Sequence, residues 1–164
     1  MEDTRMRLLQ NMPVFGGLLE PTLEFLVERV QELAVASEDY FFHQDDRGSA
    51  AYVLERGTVS VVKSYKGREY LLRELGEGDC FGEMALIDFC PRSASVRANE
   101  PCIALCITGA DLRAVREFEA EQFTLIYMNM AREVSRRLRD ADLRLFEARA
   151  EAGQLADGYE VEGF

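Results

Sequence analysis

The sequence predicts a mainly β domain with flanking helices, in which short strands form a sandwich, a roll or a barrel. Two observations lead to this fold class. Apolar residues recur at helical spacing up to about residue 30, alternate with polar residues from about 32 to 108, and return to helical spacing afterwards. Turn residues punctuate the central region at short intervals, at Arg47-Gly48, Arg56-Gly57, Lys66-Gly67 and Gly76-Glu77-Gly78. A sheet rolled on itself leaves an interior pocket, so this fold class can hold a ligand.

Two helices are predicted ahead of the strands. The first carries a short apolar group at Met6, Leu8, Leu9 and Met12. The second begins near Pro21, because the missing N–H of proline has no partner in a first helical turn anyway. Strand alternation then shows most clearly in residues 58–62 and 103–107.

A long helix is predicted after the strands. Thr108 is a suitable N-cap, and Asp111 three residues later completes a weaker form of the capping box. One apolar stripe then continues by steps of three or four, through Phe123, Tyr127, Met130, Val134, Leu138, Ala141 and Leu145. A small roll cannot cover the whole stripe, so we expect part of it to form a homodimer seam; the alternative is ordinary core.

Length and composition predict one domain. The chain has 164 residues, of which 48% are hydrophobic, so residues 1–150 can form one core. Residues 151–164 are expected to form a flexible acidic tail. The net charge of −11 argues against nucleic-acid binding, which depends on Lys and Arg contacts to phosphate. No apolar run is long enough for a membrane span, and no secretory signal is visible, so we expect a cytoplasmic protein.

Metal and enzymatic chemistry are not expected. The four cysteines match no zinc pattern and are interpreted as reduced thiols that act as small hydrophobic residues. His43 is the single histidine, and no nucleophile stands beside a base. We therefore predict a protein that is not an enzyme and needs no cofactor.

The segment Phe81–Ala98 carries the chemistry. Gly82 permits close backbone approach, and Glu83 to Asp88 is long enough for one or two helical turns. Helix N-termini attract anions, and Arg92 adds a guanidinium that suits a phosphate. A carboxylate at Glu83 would repel that anion unless it bonded hydroxyl groups of the same ligand. A ribose with a free 2′-hydroxyl beside a phosphate meets this condition.

This segment resembles the phosphate-binding cassette of the cyclic nucleotide-binding domain family, which includes catabolite activator proteins and protein kinase regulatory subunits. The similarity lies in Phe81-Gly82-Glu83-Met84-Ala85-Leu86 and Pro91-Arg92-Ser93-Ala94-Ser95-Val96. It extends to Leu9–Phe15, Tyr52–Leu54, Gly57–Val59 and Leu75–Asp79, so it covers roughly residues 7–146. The resemblance implies an antiparallel, jelly-roll-like β-roll with N-terminal helices and a long C-terminal helix.

The resemblance also implies roles for individual residues. Arg92 would bind the cyclic phosphate of cAMP or cGMP, and Glu83 would accept the 2′-hydroxyl. Further ligand contacts would come from Gly82, Met84, Ala85, Leu86, Ser93 and Ala94, with Val61 and Leu72 on facing strands as pocket walls. Candidates to cover the base are Arg137, Asp140, Ala141 and Asp142.

The identity of the nucleotide stays open in the sequence. Ser93 could add a donor to the phosphate or reach a guanine amino group, and Asp140 or Asp142 could accept from guanine, which would favour cGMP. The alternative is that serine is tolerated with either nucleotide and both aspartates face water. We favour cAMP as the commoner ligand.

The chain also departs from the family pattern. Gln44-Asp45-Asp46 stands where the family often has a Gly-Asp turn, and no tryptophan is present to stack on the base. Only 18 residues follow Phe146, so we expect no DNA-binding domain. The sequence therefore predicts a regulatory sensor module acting on an unknown downstream protein; the alternative is a degenerate, ligand-free scaffold for dimerisation.

Overall fold

The structure, a computed structural model, describes residues 2–153. Eight strands lie between two N-terminal helices and two C-terminal helices, and a short helix interrupts the strands. The helices are α1 (Glu2–Asn11), α2 (Glu20–Val27), α3 (Met84–Ile87), α4 (Gly109–Phe118) and α5 (Ala120–Glu151), with a 3-10 turn at Pro13–Phe15. The strands are β1 (Gln31–Val35), β2 (Tyr40–Phe42), β3 (Ala50–Arg56), β4 (Val59–Tyr65), β5 (Arg68–Leu75), β6 (Cys80–Phe81), β7 (Ser95–Ala98) and β8 (Cys102–Thr108).

The strands form two four-stranded sheets. Their orders are β1-β8-β3-β6 and β2-β7-β4-β5, and every pairing is antiparallel. Strands distant in sequence lie side by side, as β1 and β8 do from Gln31–Cys106 to Val35–Cys102. The predicted class, an antiparallel β-roll with helices before it and a long helix after it, is confirmed.

Two apolar clusters hold the fold together. One joins the helices to the first sheet and includes Phe15, Leu23, Leu105 and Ile126. The other fills the roll, between strands of both sheets, with buried side chains that include Leu54, Val59, Phe81, Val96 and Ala104. The second cluster includes Phe81, Ala94, Val96 and Ala98 of the segment that carries the predicted chemistry.

The predicted helix cap at Thr108 is confirmed. The backbone N–H of Asp111 donates to Thr108 Oγ1 at 3.2 Å, and Asp111 Oδ2 accepts from the Thr108 N–H at 2.8 Å. The helical region then divides, because Glu119 adopts an extended conformation between α4 and α5.

The chain divides into two compact units, residues 1–130 and 131–164. In the first unit, Ile126 and Met130 of α5 are buried. In the second unit, Leu138 and Leu145 are exposed. The predicted tail spans residues 151–164, and the part of it after Gly153 lies outside the described residues. Within residues 2–153, no helix is long and apolar enough to cross a bilayer, and no cluster of His, Cys, Asp or Glu is arranged to hold a metal ion.

Candidate functional site

The cassette begins where β6 ends. Gly82 follows β6 with a φ of +77°, in the left-handed region that favours glycine. The single turn α3 comes next, and the Leu86 N–H donates to the Glu83 carbonyl at 3.0 Å. One of the N–H groups predicted to hold a phosphate therefore already has an intramolecular acceptor in this structure.

Arg92 is buried at the centre of the candidate site, with only 5% of its surface exposed. Its Nη1 donates to the Gly82 carbonyl at 2.9 Å, and its Nη2 donates to the Ala50 carbonyl at 2.8 Å. Its Cζ lies 4.0 Å from the centre of the Phe42 ring. The Nε–H is buried and has no hydrogen-bond partner.

The electrostatics of Arg92 are dominated by its burial. Burial lowers the pKa of Arg92, while electrostatic attraction to Tyr52, Asp46, Cys106 and Glu83 acts in the opposite direction. Among residues 2–153, its polar contacts are carbonyl oxygens, and none is an ion pair. A buried cation without a paired anion is costly, so the site favours an anionic ligand.

Glu83 is the second buried charge of the cassette. Only 2% of its surface is exposed, and it precedes α3 immediately. Glu83 and Arg92, the two residues that sequence reasoning placed at the centre of the site, are thus both removed from solvent. A buried carboxylate can accept hydroxyl donors, whereas a buried guanidinium donates to oxyanions.

Two glycines leave room for the guanidinium. A Cβ atom at Gly48 would lie 2.6 Å from Arg92 Nη2, and one at Gly82 would lie 2.6 Å from Arg92 Nη1. Sequence reasoning assigned the space at Gly82 to a ligand; the structure places the chain's own Arg92 there. It treated Gly48 only as a turn residue, because nothing in the sequence shows that Arg92 folds back against it.

The loop that departs from the family pattern keeps a tight turn. Asp45 has a φ of +68°, a conformation that aspartate tolerates better than most residues. The backbone of this loop is bonded to Arg92: the Asp45 N–H donates to the Arg92 carbonyl at 2.8 Å, and the Arg92 N–H donates to the Asp46 carbonyl at 2.9 Å. The loop therefore fixes the backbone from which the Arg92 side chain projects.

The other predicted contacts are distributed over the roll. Ala85, Leu86 and Ala94 are buried, whereas Met84 and Ser93 are exposed. Val61 is buried in the roll, on β4 opposite Arg73 of β5. Leu72 lies on β5 beside the register shift and is 48% exposed. Val61 and Leu72 thus occupy neighbouring strands of one sheet.

The base-covering candidates all lie on α5 in the second unit. Arg137 Nε donates to Glu133 Oε1 at 3.1 Å, one helical turn away. Asp140, Ala141 and Asp142 are exposed. Their role at a nucleotide base stays a prediction.

Sequence reasoning missed an aromatic cluster beneath Arg92. The rings of Phe41, Phe42, Tyr52 and Phe81 contact one another, with centroids 5.0 to 6.2 Å apart. Tyr40-Phe41-Phe42 was the available signal, a run of three aromatic residues in a strand next to a turn. Its relation to Arg92 depends on the pairing of β2 with β7, which no local pattern reveals.

Comparisons with known proteins identify the family of this chain. Residues 32–117 match the model of the cyclic nucleotide-binding domain. The "Cyclic AMP receptor protein" of Thermus thermophilus is 33% identical over 138 residues, which are 84% of this chain and 62% of that protein.

Two solved structures are also similar. The Thermus thermophilus catabolite activator protein superposes with a TM-score of 0.74 at 33% identity, over 83% of this chain and 62% of that one. The regulatory domain of Toxoplasma gondii PKA, crystallised with cAMP, gives a TM-score of 0.66 at 25% identity, over 70% of this chain and 44% of that one. The chain thus spans less than two thirds of each of these relatives. With a family model matched over more than half of its length, the chain belongs to the cyclic nucleotide-binding domain family.

Proposed function

We propose that this chain is a regulatory module that binds a cyclic nucleotide, with Arg92 on the phosphate and Glu83 on the ribose 2′-hydroxyl. The observation that carries the proposal is the state of Arg92, which is buried and lacks an ion pair within residues 2–153. A cyclic phosphate supplies the missing negative charge and acceptor oxygens.

The rest of the cassette completes the proposed site. Gly82 leaves the space that Arg92 occupies, while Met84, Ala85, Leu86, Ser93 and Ala94 surround the phosphate. Val61 and Leu72 line the pocket, and the exposed apolar surface of Leu72 suits a ligand wall. On α5, Arg137, Asp140, Ala141 and Asp142 are the candidates to cover the base.

Cyclic AMP is the proposed ligand, with cyclic GMP as the alternative. The relative named for cyclic AMP and the regulatory domain crystallised with cAMP both support this choice. Recognition of guanine would instead use Ser93 with Asp140 or Asp142.

We propose that ligand binding changes the surface that the chain presents to a downstream protein in the cytoplasm. In this proposal the chain catalyses no reaction and binds neither DNA nor a membrane. Ligand binding shifts a conformational equilibrium only if the two conformations differ in affinity for the ligand. The module therefore needs α5 or the cassette to occupy two positions, of which one binds the nucleotide more tightly.

Calorimetry with cAMP and cGMP tests the proposal on the wild-type chain and on Arg92→Ala. We expect one nucleotide to bind the wild type and Arg92→Ala to weaken binding at least a hundredfold. Arg97→Ala is the matched control, because Arg97 is a half-buried arginine on β7 that pairs with Glu38 at 3.6 Å. A folded wild type that binds neither nucleotide would refute the function.

A ligand-free scaffold is the second candidate. Two of the Arg92 nitrogens already donate to carbonyls of the chain itself, which partly satisfies the cation without any ligand. Under this alternative, neither nucleotide raises the melting temperature, and the chain still self-associates.

A further inference from the structure

We propose that Phe42 and Gly48 are positioning residues for Arg92, and that they hold its guanidinium in a ligand-ready place before any nucleotide binds. With Gly82 they form what we call the arginine slot. For its ligand the inference rests on the proposed function, which it deepens by naming residues outside the cassette that set the affinity.

Phe42 supplies the flat side of the slot. The Arg92 Cζ lies 4.0 Å from the centre of the Phe42 ring, against 5.9 Å for Tyr52. A guanidinium stacks well on an aromatic face, and the attraction is strongest where water is excluded. Since Arg92 is buried, the Phe42 ring replaces part of its lost hydration.

Gly48 and Gly82 lie beside the nitrogen atoms of the guanidinium, where a side chain would collide with it. At Gly48 a Cβ would lie 2.6 Å from Nη2 and 2.7 Å from Nε, closer than any real contact. Gly48 is not among the residues with positive φ, so its backbone would accept alanine. The need for glycine there is a need for space, and the group that occupies the space is the end of Arg92.

The slot also determines which N–H group of Arg92 is left without an acceptor in the protein. Nη1 and Nη2 are held by the carbonyls of Gly82 and Ala50, while Nε–H stays buried without an acceptor. A phosphate oxygen that reached Nε would satisfy that donor. An arginine fixed in this way has less conformational freedom to lose when the ligand arrives.

The first test needs no ligand. In ¹⁵N-labelled protein, the Arg92 Nε–H resonance, identified by its loss in Arg92→Lys, should be shifted upfield by the Phe42 ring. Phe42→Leu should remove this shift. Phe41→Leu is the matched control, because Phe41 packs edge-to-face with Tyr52 and Phe81 in the same cluster. An unshifted wild-type resonance, or equal effects of the two variants, would overturn the inference.

The second test measures nucleotide affinity. Phe42→Leu and Gly48→Ala should each raise the Kd at least tenfold, whereas Phe42→Tyr should stay within threefold of the wild type. Gly76→Ala is the control for the glycine, since a Cβ there meets no atom within 4 Å and its φ is not positive. When Arg92→Ala is already present, adding Phe42→Leu should change the remaining affinity less than twofold, because no guanidinium is left for Phe42 to position.

The outcomes separate the two proposals. If the wild type binds neither nucleotide, the proposed function fails, and the ring-current shift alone decides whether the slot exists. If the wild type binds but folded Phe42→Leu and Gly48→Ala bind equally well, the slot has no positioning role and the inference is wrong.

Discussion

Arg92 and Glu83 are buried charges that serve different parts of the proposed ligand. A guanidinium only donates hydrogen bonds, and an ionised carboxylate only accepts them. Their separate exposures of 5% and 2% mean that neither can rely on water to satisfy its charge. The contribution of each proposed contact to the affinity should therefore be measurable by changing one polar group, either in the protein side chain or in the ligand.

Glu83→Gln should weaken nucleotide binding about tenfold to a hundredfold, because a hydrogen bond to a charged group contributes about 1.5–3 kcal/mol. The wild type should also prefer cAMP over 2′-deoxy-cAMP by a similar factor. Calorimetry on both proteins with both ligands checks the assignment. The preference should vanish in Glu83→Gln, and a variant that keeps it would place the 2′-hydroxyl elsewhere.

The buried thiol of Cys102 and the half-buried thiol of Cys106 should make the fold sensitive to alkaline pH. Burial raises the pKa of Cys102 and Cys106 above the ordinary value of 9.0. The native state therefore holds these protons after the unfolded chain has lost them, so stability is complete below pH 9 and falls as pH rises above it.

Urea denaturation between pH 8 and 10 measures this loss of unfolding free energy. The slope above pH 9 should approach at most about 1.4 kcal/mol per pH unit for each thiol. The pKa of Tyr52 is also raised by burial, from 10.0, so Tyr52 adds to the slope only towards pH 10, where the unfolded tyrosine loses its proton. A Cys102→Ala/Cys106→Ala chain with an unchanged slope would exclude the thiols as the cause.

At the scale of elements, α4 depends on its N-terminal cap. Thr108→Ala removes the side-chain acceptor for the Asp111 N–H and should lower the unfolding free energy by about 0.5–2 kcal/mol. Thr124→Ala is the control, because Thr124 Oγ1 donates to the Ala120 carbonyl on an exposed part of α5. Equal losses in urea denaturation would mean that the cap contributes nothing specific.

Sequence patterns predict where α4 begins but not where it ends. Thr108 and Asp111 are local signals, so the start of α4 was predictable. The end of α4 was not, because no glycine or proline marks Glu119. There Phe118 stacks on Phe25 of α2, with ring centroids 4.4 Å apart, and such a contact between distant segments has no local signature.

At the scale of the whole molecule, the exposed apolar residues of α5 support the homodimer hypothesis. Leu138 and Leu145 lie on the predicted stripe and are 60% and 57% exposed. Light scattering should find a dimer for the wild type and a monomer for Leu138→Glu/Leu145→Glu. Leu143→Glu, on the same helix but off the stripe, should remain dimeric. A monomeric wild type at high micromolar concentration would refute the seam.

The candidate site likewise combines residues that are close in sequence with residues that are distant in sequence. Gly82, Glu83 and Arg92 belong to one continuous segment, so the sequence alone identifies them. Phe42, Gly48 and Ala50 reach the guanidinium only because β2 pairs with β7 and β3 pairs with β6. No spacing rule connects them to Arg92, and only the assembled sheets bring them together.

The vacant donor on Arg92 has a practical consequence for handling the protein. Any small oxyanion that fits beside Nε, such as inorganic phosphate or sulfate from a purification buffer, would gain the same charge compensation as the proposed nucleotide. Such ions would stabilise the fold increasingly as their concentration rises above their Kd, and they would mask weak nucleotide binding by competition. Affinities measured in phosphate buffer would then understate those measured in an amine buffer.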